Sequence, residues 1–464
     1  MDHTPYRRTT TAGSHCAATT CSLVRQALSI TAVGLAALVG SPGVAAAAPL
    51  PRCTDQGWVG VWAAAPSDAS RGTDTSDSFD TDQFDQSMNP KSAVRNETTR
   101  AILTPTYGGS TARVRLSNRF GAVPVTFAHA TIAHRASEAA LVPDTVQALT
   151  FNGGQDVTVA PGHDVVSDPV GFSFQAFEPL AVSVYVAGDV GKPTEHYTAR
   201  QTSYLTPEDA GDHTTDVDGG AFTQRTTTRP FVTGVDVLAP RATGAVVALG
   251  DSITDGFQQP ADVNTEAQDS LDVDGRWPDV LARRLLAAHR PLAVLNMGIA
   301  GNAVLQDGST EGSDVFGPAA IRRLDADVLS QDGVMTVILL EGINDLSISP
   351  VATVDELIGG YRQLIERMHA HGLPVLLGTI TPAGGAEGVP ADAEAKRQAV
   401  NTWIRDKSPA DAVVDFDAVV RDPADPTRIA PQYDGGDHLH FNLAGYQAMG
   451  DAIPLDQLRN PACS

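Results

Sequence analysis

A serine that follows a buried strand can attack an ester carbonyl if a neighbouring base takes its proton. Ser252 stands in such a place, in Gly250-Asp251-Ser252-Ile253-Thr254-Asp255-Gly256, directly after the apolar run of residues 244–249. The glycines permit a tight turn and close approach of a substrate. Taken alone the turn is a weak signal, because Gly-Asp-Ser is equally at home as plain structure. Thr254 also stands where the second glycine of a G-x-S-x-G elbow would be.

The base must come from elsewhere in the chain. Asp434-Gly435-Gly436-Asp437-His438-Leu439-His440 lies near the C-terminus. Asp437 and His440 are three residues apart, a spacing that lets the carboxylate face the imidazole, fix its tautomer and stabilise the imidazolium. His438 competes for the role, but it lies too close to Asp437 for the same orientation. A metal site built from Asp434, Asp437, His438 and His440 is the other use of these residues. Ester cleavage also needs donors aimed at the developing oxyanion. Asn296-Met297-Gly298-Ile299-Ala300-Gly301-Asn302 offers unobstructed glycine N–H groups, and Glu341-Gly342-Ile343-Asn344-Asp345 offers the Asn344 amide.

The serine, glycine and asparagine segments each follow a short continuous apolar run, which suits a strand buried on both faces of a parallel sheet. The runs are residues 244–249, 292–296, 335–340, 375–380 and 412–416. Helical patterns lie between them. One begins near Trp277. Another is capped by Thr353 and Glu356 and carries an apolar stripe through Val354, Leu357, Ile358, Tyr361, Leu364, Ile365 and Met368. The stripe is core packing. Strand–helix alternation predicts a doubly wound α/β layer, whose ligands bind beyond the carboxyl ends of the strands.

The four motifs in this order make residues 243–455 resemble the SGNH/GDSL hydrolase family. The resemblance implies a flavodoxin-like three-layer α/β/α domain that cleaves acyl esters with no metal or other cofactor. It places Ser252 as nucleophile, Gly301 as the oxyanion glycine, Asn344 as the oxyanion asparagine, and His440 with Asp437 as base and partner. The Ser252 N–H completes the oxyanion hole. Phe441 departs from the proline that many members carry after the histidine, an effect expected on loop shape.

Residues 54–240 read differently. Period-two alternation in residues 112–117, 123–132, 156–159 and 180–186, separated by Gly, Pro, Asn and Asp, predicts a β-sandwich or jelly-roll-like domain. Its opening, residues 58–66, and the segment 115–121 are similar to the β-rich domain of secreted bacterial family members. A packing role, a polysaccharide site or one wall of the cleft are its possible uses. The expected organisation is therefore a leader over 1–47, a β-rich domain over 54–240 and a catalytic domain over 241–462.

The leader is read from Arg7, Arg8 and Arg25, the apolar run 27–40 and A-x-A sites in residues 44–48. It predicts a secreted, extracellular protein. Cleavage would remove Cys16 and Cys21. Cys53 and Cys463 would remain, and they are expected to form one disulfide joining the ends, the other outcome being two separate thiols. A net charge of −23 and a pI near 4.7 exclude nucleic acid and anionic membranes as natural partners. A small-molecule or polysaccharide ester and a monomeric enzyme fit better. The acidic segments 74–85 and 262–274 are expected to be solvated loops. In the second, Leu281 occupies the position where a calcium loop needs Glu. The expected activity is carboxylic ester hydrolysis. Carbohydrate O-acetyl esters, lipid esters and short-chain acyl esters are the substrate classes, and an inactive carbohydrate-binding protein is the rival.

Overall fold

Five segments that are apolar on both faces pair in parallel, because neither face can be left to water. They are β1 (Gly244–Gly250), β2 (Leu292–Gly298), β3 (Val334–Leu340), β4 (Val375–Gly378) and β5 (Ala412–Val414). Every residue of β1 is buried. The spatial order is β2-β1-β3-β4-β5, with all four pairings parallel. This is the flavodoxin-like order, and its switch point lies between the carboxyl ends of β1 and β3, from which the connections to β2 and β4 leave in opposite directions. The computed structural model describes residues 52–68, 93–258, 271–308, 316–348 and 351–463. The expected leader and the acidic segment 74–85 lie outside the described residues. The described residues belong to one compact unit.

The helices are α1 (Ser252–Asp255), α2 (Trp277–Ala287), α3 (Ala320–Leu324), α4 (Ile343–Ser347), α5 (Val354–Ala370), α6 (Ala393–Lys407), α7 (Phe416–Val420) and α8 (Leu443–Ala452). α2 packs on α8 and β2, forming one outer layer. α5 packs on α3 and α6, forming the other. The Thr353 hydroxyl accepts from the Glu356 N–H and the Glu356 carboxylate accepts from the Thr353 N–H, so α5 starts with both orphan donors satisfied. Its stripe from Leu357 to Met368 is buried against the sheet. The apolar run 412–416 gives a shorter strand than its length suggests. Asp415 accepts from the Ala418 N–H and caps α7, so Phe416 belongs to the helix.

The preceding segment is a β-sandwich of two antiparallel sheets, with a third antiparallel sheet of three short strands, Ser67–Asp68, Thr194–His196 and Arg229–Pro230. One has five strands, with Gln56–Ala63, Val232–Pro240 and Gly109–Asn118 adjacent. The other has eight, with Val94–Leu103, Leu180–Gly191 and Val125–Ser137 at its centre. Alternation directs Val114, Leu116, Phe127, Val182 and Val184 inward, all with no exposed surface. The sandwich also covers the free edge of the parallel sheet. The Thr106 hydroxyl donates to the Val294 carbonyl and accepts from the Val294 N–H, at 3.0 and 2.9 Å, satisfying edge strand β2. A single buried cluster runs from the sandwich into the α/β layers.

Cys53 and Cys463 form a disulfide that closes a loop 410 residues long in sequence. Replacing both by serine is expected to lower stability by about 2–5 kcal/mol. Denaturant unfolding of wild type and variant, each with and without reductant, checks this. The reduced wild type should match the variant.

Candidate active site

β1 delivers the chain to Asp251, which is extended and caps α1, its Oδ1 accepting the Ile253 N–H at 3.0 Å. Ser252 is therefore the first helical residue, held at the sheet's carboxyl edge with 6% of its surface exposed. Its Oγ lies 2.8 Å from Nε2 of His440. Nδ1 of the same ring lies 2.6 Å from Oδ2 of Asp437. The other carboxylate oxygen, Oδ1, accepts the N–H groups of Leu439 and His440 at 3.0 and 2.8 Å. Burial pushes the Asp437 pKa up, but the His440 bond and charge and these backbone donors outweigh it and hold the carboxyl down to about 2. An ionised Asp437 only accepts, so Nδ1 carries a proton and Nε2 is left to accept from the Ser252 hydroxyl. Phe257 packs edge-on to the imidazole, centroids 4.7 Å apart.

His438 turns the other way. Its Nδ1 is 2.6 Å from Oδ2 of Asp434, its φ is +64°, and it is well exposed. The four residues that the sequence left open as a cluster are thus two separate His–Asp pairs. Only the Asp437–His440 pair reaches the serine.

The glycine and asparagine segments meet beside the serine turn. The Asn344 amide donates to the Asn302 carbonyl at 2.7 Å, placing α4 against the residue after Gly301. Gly301 has φ +78°, and a Cβ there would lie 2.3 Å from Cδ1 of Phe316, so only glycine fits. The N–H groups of Ser252 and Gly301 make no hydrogen bond among the described residues. The Ile299 N–H donates to the Gly250 carbonyl at 3.0 Å. Gly298 approaches the backbone of Asp255 so closely that a Cβ would lie 2.3 Å from its nitrogen.

Residues 248–448, the segment that contains all of these groups, match the GDSL-like Lipase/Acylhydrolase family. This segment is a GDSL-like domain. No curated protein matches the chain. Three solved structures illustrate what it is similar to. A putative lipolytic protein of the G-D-S-L family from Desulfitobacterium hafniense is 21% identical over 45% of this chain and 97% of its own, with a TM-score of 0.33. A lipase/acylhydrolase from Enterococcus faecalis is 24% identical over 48% and 100%, with a TM-score of 0.36. A carbohydrate acetylesterase from Sinorhizobium meliloti is 17% identical over 45% and 96%, also with a TM-score of 0.36.

Beneath the GDSL-like site lies a polar cluster that sequence reasoning missed. Arg323 of α3 is almost fully buried. It donates to the Gly250 carbonyl (2.9 Å), the Met297 carbonyl (2.7 Å) and Oδ1 of Asn302 (2.8 Å), and it pairs with Asp327. In the sequence it is one arginine of a short helix, with only the i, i+4 spacing to Asp327 to mark it. Three further buried carboxyls lie in the same region, and one oxygen of Glu341 is 3.8 Å from the guanidinium. Burial, opposed by the Ile253 N–H and the His440 charge, raises Asp251 to about 7. Burial raises Asp345 to about 6 although it accepts the Val304 and Leu305 N–H groups. Glu341 is pushed well above the usual carboxylate range by burial, and neither of its oxygens has a hydrogen-bond partner among the described residues.

At the described end of the insert 262–274, Asp272 and Val273 are exposed, and Asp272 is also tied to a neighbouring segment. Asp272 accepts from the Thr202 N–H (2.6 Å), the Thr202 hydroxyl (2.8 Å) and the Gln201 amide (3.1 Å), which pins it to the sandwich.

The Asp251 shift has a definite sign. A carboxyl raised from its usual 3.8 to about 7 holds its proton in the folded protein and loses it in the unfolded chain, so stability falls as pH rises through that window. Asp251→Asn keeps the oxygen that caps α1 and removes the charge. Its melting temperature is expected to gain on wild type more at about pH 8 than at about pH 5. Scanning calorimetry checks this, and an equal difference at both values would contradict it.

Proposed function

We propose that this GDSL-like protein is a secreted serine esterase, with Ser252 as nucleophile, His440 as base and Asp437 as the acid that orients it. The unbroken line of hydrogen bonds from Asp437 through His440 to Ser252 carries this reading. His440 takes the hydroxyl proton as Ser252 Oγ bonds to the ester carbonyl carbon. The negative charge that develops on the carbonyl oxygen is received by the N–H groups of Ser252 and Gly301 and the Asn344 amide. These are donors that folding leaves unspent or only partly spent. The alcohol then leaves with the proton from His440. Water, activated by the same imidazole, releases the acid and restores the serine.

The export signal read in residues 1–47 supports an extracellular site of action. With the β-sandwich that accompanies the catalytic segment, it favours carbohydrate O-acetyl esters over lipid and short-chain acyl esters. A panel spanning acetylated xylan, pectin fragments and p-nitrophenyl esters of increasing acyl length tests that preference. Turnover confined to long acyl chains would remove it.

The serine assignment has a sharper test. Ser252→Ala is expected to abolish turnover of p-nitrophenyl acetate and labelling by a fluorophosphonate probe, with an unchanged circular dichroism spectrum. Asn344→Ala is expected to lower kcat by roughly 10²- to 10³-fold, the usual effect of losing one oxyanion donor. Wild-type turnover in Ser252→Ala would sink the proposal.

A further inference from the structure

The β-sandwich reaches the nucleophile helix itself. Asp255 closes α1, three residues after Ser252, and is 1% exposed. Its carboxylate is held from the sandwich side. Nε2 of His196 lies 3.0 Å from Oδ1, and the Thr198 hydroxyl donates to Oδ2. His196 is itself fixed at the far end of its ring, where Nδ1 meets the Ala65 carbonyl at 2.8 Å, and it is 5% exposed. Arg200 and Arg229 of the sandwich and Arg276 at the start of α2 add positive charge around the same carboxylate.

Asp255 passes this constraint on. Its Oδ2 also accepts the Ala300 N–H at 3.2 Å. Ala300 immediately precedes Gly301, and orienting one peptide orients the next. On the other side the Asn296 amide donates to the Thr254 carbonyl at 2.8 Å, so the β2 end and α1 are clasped together at two points. A carboxylate buried this deeply needs its donors, or it would turn to water or take up a proton. The donors come from a segment outside the matched family region, which begins at residue 248.

Resting on the serine esterase reading above, we infer that His196 and Thr198 are positioning residues for ester hydrolysis: through Asp255 they set the Ala300–Gly301 peptide that carries the oxyanion N–H. The sandwich is then part of the active site's frame. Neither side chain touches the reacting atoms. Their effect is on the aim of a donor that matters more in the transition state than in the bound substrate, so it belongs in kcat.

The test uses the full chain and p-nitrophenyl acetate. His196→Ala is expected to lower kcat by about 10- to 100-fold with KM within about twofold of wild type, because a small misplacement of a catalytic donor costs that much. His196→Gln, which keeps an N–H for Asp255, should recover most of the loss. The pair Thr198→Val and Thr198→Ser separates hydroxyl from shape without opening a cavity, and only the valine variant should lose kcat. It serves alone if His196→Ala does not fold. Wild-type kcat in both His196→Ala and Thr198→Val would overturn the inference, as would a loss confined to KM or an equal loss in valine and serine variants. Ser252→Ala is assayed beside them. Turnover surviving there would overturn the esterase reading and this inference together, whereas its loss with unaffected His196 and Thr198 variants would remove the inference alone.

Discussion

Three strand-end contacts converge on the guanidinium of Arg323. The carbonyl that ends β1, a carbonyl near the end of β2 and the side chain of Asn302 each take one of its N–H groups. Gly250 leads into the serine turn, Met297 leads into the glycine loop, and Asn302 offers its own carbonyl to Asn344. One planar cation therefore sets the separation of the serine turn, the glycine loop and Asn302. Arginine suits this place because its donors diverge in a fixed plane. Burying the charge is costly, and Asp327 at 3.3 Å offsets part of that cost.

The same charge explains the tolerance for acid beneath the site. Burial raises all three of Asp251, Glu341 and Asp345; the Asp345 charge adds to the rise of Asp251, and both aspartates add to that of Glu341. Asp251 and Asp345 spend their oxygens on backbone N–H groups that shape α1 and the loop after Gly301. Asp437 has the opposite environment. Its donors and the imidazole keep it ionised. Two kinds of buried carboxyl thus divide the work, one shaping backbone and one holding a proton acceptor in place.

The sandwich and the parallel sheet share structure in a way that a linear division near residue 240 does not convey. Thr106 completes the edge of β2, Asp272 is held by residues 201 and 202, and Asp255 is held by His196 and Thr198. Each link is short and polar, and each joins residues at least 57 positions apart in sequence. No local pattern announces such contacts. His196 and Thr198 lie outside every alternating run read in residues 54–240, and Arg323 sits in a helix of five residues.

The sequence by itself determined whatever depends on period and local turn chemistry. Continuous apolar runs imposed a parallel sheet, because residues with no polar face must be covered on both sides. Thr353 and Glu356 marked the start of α5. The Gly-Asp-Ser turn after β1 placed a serine at the carboxyl edge, and the Asp437–His440 spacing set a carboxylate against an imidazole. Where a strand ended was less legible, since the run to Phe416 concealed the cap at Asp415. Only the tertiary structure decided which donors remain unspent, which carboxyls ionise and what supports the serine turn. Those properties arise from burial and from partners brought together across the chain, and the free energy of a buried charge depends on neighbours that sequence distance does not reveal.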